Sequence, residues 1–367
     1  MNRKRFLRLL GAGAAGMAGT SMLPGGPALS GFRQPGWAEK TKNWAWMGGT
    51  DWTVEGWARH FAKMRAAGID ALLLNAGIGN RSEIIAAARR EGLEVHIWKF
   101  TMMQSVHQDA HPEWYAVSRK GVSTAQQPPY VAYYKFMCPT RQPVRRQLEK
   151  QIRELARLKG VAGVHLDYIR YPDVILPVAL WPKYNLVQDK EYPEFDFCYC
   201  EVCRSTFKEQ TGLDPLELPD PPANAAWKQF RYDSISRVVN SLAAIVREEG
   251  KQLTAAVFPT PQIARKLVRQ DWARWDLDAV MPMIYHSFYK EEVAWVETAT
   301  RQGVEALAGK IPLYSGLYVP ELDPAQLARA ARHALDGGAQ GIVLFEGKTL
   351  TEKHWSELAA VYRMRQN

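Results

Sequence analysis

The 367-residue chain has no long apolar run after its first 22 residues, and its basic residues form no long cluster. Without a run of about 18 apolar residues, the remaining chain offers no candidate for a membrane-spanning helix. Of the 47 Lys and Arg residues behind the net charge of +9, four lie in the first eight positions. This distribution argues against a protein that binds nucleic acid.

Two motifs of cofactor-dependent and metal-dependent enzymes are also missing. Gly77 and Gly79 form the start of a glycine-rich turn, but Asn80 and Arg81 follow and leave the G-x-G-x-x-G fingerprint incomplete. No His-x-His or His-x-x-His pair stands at the end of a predicted strand. These absences disfavour a dinucleotide-binding fold and a metal-dependent hydrolase such as a deacetylase.

Residues 1–30 have the pattern of an export signal. Basic residues precede an apolar stretch rich in Leu, Ala, Gly and Met that runs to Met22. The basic segment resembles a twin-arginine signal, with Lys4 where the second arginine is expected, so the twin-arginine and general secretory routes both stay open. No cysteine near the cleavage region offers a lipid anchor. We expect export to the periplasm or extracellular space, with a linker over residues 31–42.

Strand-like and helix-like segments alternate from residue 43 onward, and each helical pattern has apolar residues at helical spacing. The predicted strands are 43–48, 70–75, 94–100, 163–168, 252–258, 277–285, 311–318 and 341–345. The predicted helices are 54–67, 82–91, 143–159, 225–249, 291–302, 324–337 and 351–364. Eight strands in such an array predict a (β/α)₈ TIM barrel over residues 43–367, with an insertion over 173–223 after the fourth strand. A doubly wound sheet is the alternative.

Residues 163–172 read Gly-Val-His-Leu-Asp-Tyr-Ile-Arg-Tyr-Pro and contain the fourth predicted strand. Apolar residues alternate with His165 and Asp167, so one face of the strand carries two titratable groups. Pro172 cannot extend a central strand, which places Asp167 at the carboxyl end, where barrels hold their active sites. Alternatively, Asp167 caps the following segment or pairs with Arg170, and His165 is a hydrogen-bonded core residue.

Chemically useful side chains also follow the other predicted strands, and a barrel gathers these strand ends at one rim. Glu346 follows the eighth strand and Asp51 the first, so either could supply the second carboxyl group that glycoside hydrolysis needs beside Asp167. Glu346 could instead form a rim ion pair with Lys348 or Lys353. Thirteen Trp and 15 Tyr residues suit the binding of sugar rings. The expected substrate-binding residues are Trp46, Trp52, Asn75, Trp98, His165, Tyr168, Arg170, Tyr285, His286 and Tyr318.

The four cysteines have the spacing of a metal site. Cys198, Cys200 and Cys203 lie within six residues, and Cys138 is the fourth. Four thiolates suit a tetrahedral Zn²⁺ that is structural, since no coordination position stays open. Disulfides are the alternative because an exported protein meets oxidising conditions. Two disulfides would require at least one pair inside the crowded 198–203 turn, and this favours zinc.

The motif at residues 163–172 resembles the hallmark of the family-10-like glycosyl hydrolases, which are exported bacterial barrel proteins. Residues 138–145, 278–285 and 341–345 fit the same pattern. The resemblance spans about residues 43–362 and implies a (β/α)₈ glycosidase with Asp167 in its site. One branch of that family cleaves peptidoglycan strands stripped of peptides, which implies a cell-wall glycan as substrate.

The cysteine pattern separately resembles the zinc site of the family 42 β-galactosidases. Those enzymes carry an Asn-Glu pair after their fourth strand, whereas this chain has Leu166 and Asp167. The resemblance therefore implies the metal site without the galactosidase activity. Together these observations predict an exported glycoside hydrolase that cleaves O-glycosidic bonds with two carboxyl groups and uses no organic cofactor. A catalytically inactive carbohydrate-binding barrel is the alternative.

Overall fold

The computed structural model describes residues 41–366, and side chains up to residue 361. The predicted signal peptide and nearly all of the predicted linker lie outside the described residues. The strands are β1 Trp44–Met47, β2 Ala71–Asn75, β3 Glu94–Phe100, β4 Gly163–Asp167, β5 Gln252–Val257, β6 Ala279–Pro282, β7 Ser315–Tyr318 and β8 Ile342–Phe345. The α-helices are α1 Val54–Ala66, α2 Arg81–Arg90, α3 Gln142–Ala156, α4 Glu201–Thr211, α5 Ala225–Glu248, α6 Pro261–Val268, α7 Trp295–Leu307, α8 Pro324–Asp336 and α9 Glu352–Gln366.

The strands are parallel and pair in the order β6-β5-β4-β3-β2-β1-β8-β7. Two further parallel bridges, Val280 to Leu313 and Met283 to Gly316, join the two ends of this sheet. The sheet therefore closes on itself with helices between successive strands. The predicted (β/α)₈ barrel is confirmed, and the alternative of a doubly wound sheet is wrong.

Successive side chains along each strand point alternately toward the surrounding helices and toward the barrel interior, so the strands separate two apolar layers. Val164 and Leu166 belong to the large layer between the strands and the surrounding helices. Trp46, Trp98 and Ala256 belong to a second cluster, which fills the inside of the barrel. Because parallel strands of a barrel tilt together, the last inward-facing side chain of each strand reaches the carboxyl rim.

Several helices begin at residues whose side chains satisfy the free backbone N–H groups of the first turn. Thr53 accepts a hydrogen bond from the backbone of Gly56 at the start of α1, and Asn224 accepts one from Trp227 at the start of α5. Asp323 forms a reciprocal capping box at the start of α8. These caps fix where each helix leaves the rim.

The structure contains two helices that the sequence pattern did not predict. α4 lies inside the predicted insertion, and α6 follows β5. α6 has only eight residues, too few for a clear helical period, although Thr260 caps it and Pro261 occupies its first turn. The sixth strand is shorter than predicted, because the chain turns toward a 3₁₀ helix at His286–Tyr289. None of the described helices has the length and apolar character that crossing a membrane requires.

Candidate functional site

A cavity of about 440 Å³ lies at the carboxyl rim of the barrel, and we call it the central cavity. Residues from β1, β3, β4, β7 and β8 line it, together with residues from the segments that follow β3, β4, β5, β6 and β8. Most of the lining is aromatic, and flat rings suit the apolar faces of sugars. The aromatic lining residues are Trp46, Trp98, Phe100, Tyr134, Tyr168, Phe258, Tyr285, Phe288, Tyr289, Tyr318 and Phe345.

Asp167, the last residue of β4, lines this cavity and is 9% exposed. Its Oδ2 accepts a hydrogen bond from Trp98 Nε1 at 2.9 Å, and its Oδ1 accepts one from the Tyr168 backbone N–H at 2.6 Å. Burial raises the pKa of Asp167, whereas these two hydrogen bonds and the charge of Arg170 act in the opposite direction. The structure therefore holds this carboxyl group in place with two hydrogen bonds, and its burial works against the ionised form.

Glu346 supplies a second carboxyl group to the central cavity from the end of β8. Its Oε2 forms an ion pair with Lys348 Nζ at 3.0 Å, and its side chain is 19% exposed. This is one of the two lysine pairs that the sequence allows. Burial, followed by the charges of Asp167 and Glu346 among others, raises the pKa of Tyr285 on the cavity wall. The carboxyl groups of Asp167 and Glu346 therefore both lie near Tyr285.

Asp173 is a third carboxyl group of the lining that the sequence reasoning missed. Its Oδ2 accepts a 2.8 Å hydrogen bond from Arg170 Nη1, and both side chains are buried. The Arg170 guanidinium also lies 5.1 Å from the ring of Tyr168 and 5.2 Å from that of Phe258. Arg170 thus pairs with Asp173, and Asp167 has no ion pair within the described part of the chain.

The structure brings together most of the predicted site residues but not all of them. Asp51 and Trp52 lie in a separate exposed depression, so Asp51 is not the second carboxyl group of the central cavity. Asn75 lies in a neighbouring groove. His286 starts the 3₁₀ helix after β6 and is not among the residues that line the cavity. Those that do line it are Trp46, Trp98, Tyr168, Arg170, Tyr285 and Tyr318, with Asp167 and Glu346.

His165 lies below the cavity, fully buried in a chain of hydrogen bonds. Trp46 Nε1 donates to His165 Nε2 at 3.0 Å, and His165 Nδ1 lies 2.9 Å from Thr254 Oγ1. An indole N–H can only donate, so His165 Nδ1 carries the proton and donates to Thr254. Thr254 then donates to His96 Nδ1 at 3.3 Å, and His96 Nε2 donates to Glu94 at 3.0 Å. His165 is therefore a core histidine that supports the indole of Trp46.

The cavity residues that sequence reasoning missed fall into two groups. Phe100, Phe258, Met283 and Phe345 follow the inward-facing positions of their strands, so continuing the alternation by two residues would have found them. Others lie on long loops, where no period identifies the side that faces the cavity. This second group includes Tyr134, Asp173, Pro177, Leu180, Phe288 and Tyr289.

The four cysteines are buried together in the insertion and the segment before α3. Their sulfur atoms all lie within 4.8 Å of one another, and none forms a disulfide. Cys138 Sγ lies 3.6 Å from Cys200 Sγ and 3.4 Å from Cys203 Sγ. Sulfurs that bind one tetrahedral Zn²⁺ at about 2.3 Å lie about 3.8 Å apart, close to these distances. The cluster thus suits a metal ion, and it does not line the central cavity.

The backbone adds one more contact to this cluster. The N–H of Val117 donates to Cys198 Sγ at 3.3 Å, as backbone groups commonly do to thiolate ligands. Burial raises the pKa of the Cys198 thiol, whereas hydrogen bonds from the neighbouring thiols lower the pKa of Cys200. Burial thus opposes the thiolate form in this cluster, and a cation among the sulfurs would offset that cost.

No protein-family model matches this chain, and no curated protein matches its sequence. Solved structures share its fold. The catalytic domain of β-amylase from Paenibacillus polymyxa matches with a TM-score of 0.62 and 10% identity, over 89% of this chain and 98% of that chain. A β-galactosidase from the psychrophilic Marinomonas ef1 matches with a TM-score of 0.60 and 12% identity, over 89% of this chain and 59% of the other.

An α-L-fucosidase, isoenzyme 2 from Paenibacillus thiaminolyticus, matches with a TM-score of 0.57 and 12% identity, over 89% of this chain and 49% of the other. The chain thus spans about half the length of the galactosidase and the fucosidase. At such low identity, these similarities establish a common barrel fold.

Proposed function

We propose that this protein is an exported glycoside hydrolase that cleaves O-glycosidic bonds in a polysaccharide or a cell-wall glycan. The observation that carries the proposal is the buried carboxyl group of Asp167, which shares an aromatic cavity at the barrel rim with Glu346. The fold shared with an amylase, a galactosidase and a fucosidase supports it. In TIM-barrel enzymes generally, the active site lies at the carboxyl ends of the strands.

The environments of the two carboxyl groups suit different roles. Burial raises the pKa of Asp167, so it can hold the proton that the departing sugar oxygen needs. Glu346 pairs with the Lys348 ammonium, as an ionised carboxylate does. Glu346 is therefore the group that attacks the sugar carbon or activates water. The rings of Trp98, Tyr285 and their neighbours hold the sugar between them.

A carbohydrate-binding barrel without catalytic activity is the second candidate. One observation favours it: the Glu346 carboxylate already forms an ion pair with Lys348 at 3.0 Å, which would make it less available for attack on a sugar. In this case the aromatic cavity binds a glycan, but no bond is broken. Both candidate functions therefore predict glycan binding, but only the hydrolase predicts the release of cleaved products.

The test is incubation of the mature protein with a panel of bacterial and plant glycans, followed by mass analysis of the products. We expect Asp167→Asn to lower kcat by about 10²–10⁴-fold, the usual contribution of a general acid, while the protein stays folded. Its melting temperature should fall modestly, because an amide cannot accept hydrogen bonds from both Trp98 and Tyr168. Asp51→Asn is the matched control and keeps its activity, because Asp51 lies outside the central cavity. Binding without any product would establish the inactive barrel, and unchanged turnover of Asp167→Asn would refute its role.

Two further proposals concern parts of the chain away from the central cavity. The cysteine cluster holds a structural Zn²⁺, which the sulfur distances and the resemblance to the family 42 zinc site support. Export rests on the basic and apolar pattern of residues 1–30. Detection of the processed protein in the periplasm or medium, with an amino terminus beyond that segment, tests export.

A further inference from the structure

A second depression, of about 530 Å³, adjoins the central cavity beyond the ends of β2 and β3, and we call it the side groove. Trp98, Phe100 and Tyr168 line both spaces and form the wall between them. Trp98 also donates its indole N–H to Asp167. A sugar unit in the side groove would therefore be a close neighbour of the unit that the proposed acid protonates.

The side groove differs from the central cavity in its charge. The described residues that line the central cavity include three carboxyl groups, those of Asp167, Asp173 and Glu346, and one cation, Arg170, which already pairs with Asp173. No Asp or Glu is among the described residues that line the side groove, and its charged lining residue is Lys99. Among the described lining residues, the side groove thus differs from the central cavity in carrying a cation without any carboxyl group.

Lys99 makes no hydrogen bond or ion pair with any residue that the structure describes. The charge that acts on it most is that of Arg81, the first residue of α2, whose Nε is buried without a hydrogen-bond partner. Burial and this neighbouring charge both lower the pKa of Lys99. A partly buried ammonium beside another cation is unfavourable unless an anion joins it.

Neutral polar groups line other parts of the side groove. Asn75 Oδ1 accepts a hydrogen bond from the backbone of Gly77, which leaves the amide N–H groups of Asn75 free to donate within the described structure. Tyr133 lines the same groove and is 58% exposed, so its ring and hydroxyl face a ligand from solvent. An ammonium, an amide donor and an aromatic ring together suit a sugar that bears a negative charge.

We propose that the side groove is a subsite for an acidic sugar, whose carboxylate pairs with Lys99. A single ammonium balances the single charge of a carboxylate and can form a charge-assisted hydrogen bond with it. This inference rests on the proposed function and deepens it. The glycan that the protein cleaves then carries a carboxylate-bearing unit next to the bond that breaks.

The experiment uses three pairs of oligosaccharides that contain glucuronic, galacturonic or muramic acid, each beside the same oligosaccharide with its carboxyl groups reduced to alcohols. Binding is measured by calorimetry at low salt on the full chain with Asp167→Asn, so that no turnover is needed. We expect at least one acidic member to bind about tenfold more tightly than its reduced partner, a difference of about 1.4 kcal/mol. Lys99→Met removes this preference, and Lys99→Arg keeps it.

Lys208→Met is the matched control, because Lys208 is an exposed residue of α4 outside the groove. It leaves the preference unchanged, and 0.5 M salt weakens the preference of the protein with Lys99. If no acidic oligosaccharide binds more tightly than its reduced partner, or if Lys99→Met keeps the preference, the subsite assignment is overturned. Since the Asp167→Asn protein is used throughout, this outcome is independent of whether the protein cleaves glycans.

Discussion

Replacing Thr254 with Val should destabilise the protein strongly, although the two side chains have nearly the same shape. Thr254 is 1% exposed, and its hydroxyl accepts from His165 and donates to His96 inside the barrel. Valine puts a methyl group there. His165 Nδ1–H then loses its acceptor, and His96 Nδ1 loses its donor. Neither atom can turn to water, because both histidines are fully buried.

The size of the effect follows from these two atoms. A buried polar group without a partner costs about 1–3 kcal/mol, so two of them cost about 2–6 kcal/mol. This is a large part of the 5–15 kcal/mol by which a typical domain is stable. Thr254→Ser is the matched control: it keeps the hydroxyl and removes one methyl group, at a cost of about 1 kcal/mol.

Urea unfolding measures both variants against the original protein. We expect Thr254→Val to lower the midpoint much more than Thr254→Ser, with the same dependence of free energy on urea concentration. Tryptophan fluorescence should also change in Thr254→Val, because His165 holds the indole N–H of Trp46. If the valine variant is as stable as the serine variant, the hydrogen bonds through Thr254 do not support the barrel interior, and the reasoning fails.

Two other predictions concern pH and metal. Burial lowers the pKa of both His96 and His165, so below about pH 6.5 the unfolded chain takes up protons that the folded protein does not. This contribution to stability is complete above pH 6.5 and is lost as pH falls, by up to about 1.4 kcal/mol per pH unit for each histidine. Asp167 acts in the opposite sense because its pKa is raised. Since two histidines act against one carboxyl group, urea midpoints should fall from pH 7.5 to 5.5, and a rise in stability on acidification would contradict the assignment. A chelator should remove one zinc per chain, make four thiols reactive and lower the melting temperature. If the denatured, unreduced protein has no reactive thiols, the cysteines form disulfides and the zinc site is refuted.

The fold could be predicted from the sequence because most of its elements repeat a clear pattern. Most strands are short segments rich in apolar residues, and several helices are closed by a glycine or opened by a capping residue. Sequence reasoning missed α4, which lies in the insertion outside this repeat, and α6, which lies between β5 and β6 but has only eight residues. Their boundaries depend on tertiary contacts, such as the cysteine cluster at the start of α4, more than on helical spacing.

The candidate site was predictable where it lies on strands and much less so where it lies on loops. Asp167 and Glu346 follow from the rule that strand ends meet at one rim. The same rule predicted Asp51 as a site residue. The chain after β1 turns outward, however, and the Asp51 side chain is exposed in another depression. Asp173 can be identified as a cavity residue only from its contact with Arg170 in the folded protein, because no spacing along the sequence predicts that contact.

The inward face of β4 shows why one short motif can serve both the fold and the site. Its three inward residues are Gly163, His165 and Asp167, in order from the bottom of the barrel to the rim. A Cβ on residue 163 would lie 2.5 Å from His96 Cε1 and 2.6 Å from the carbonyl oxygen of Gln252, so only glycine leaves room for the His96 ring. That ring continues the hydrogen bonds that fix His165 and, through it, Trp46. Gly163 therefore leaves room for His96, and His165 holds Trp46 in place. Asp167 lies above this rigid interior, where its position at the rim suits the proposed role as an acid.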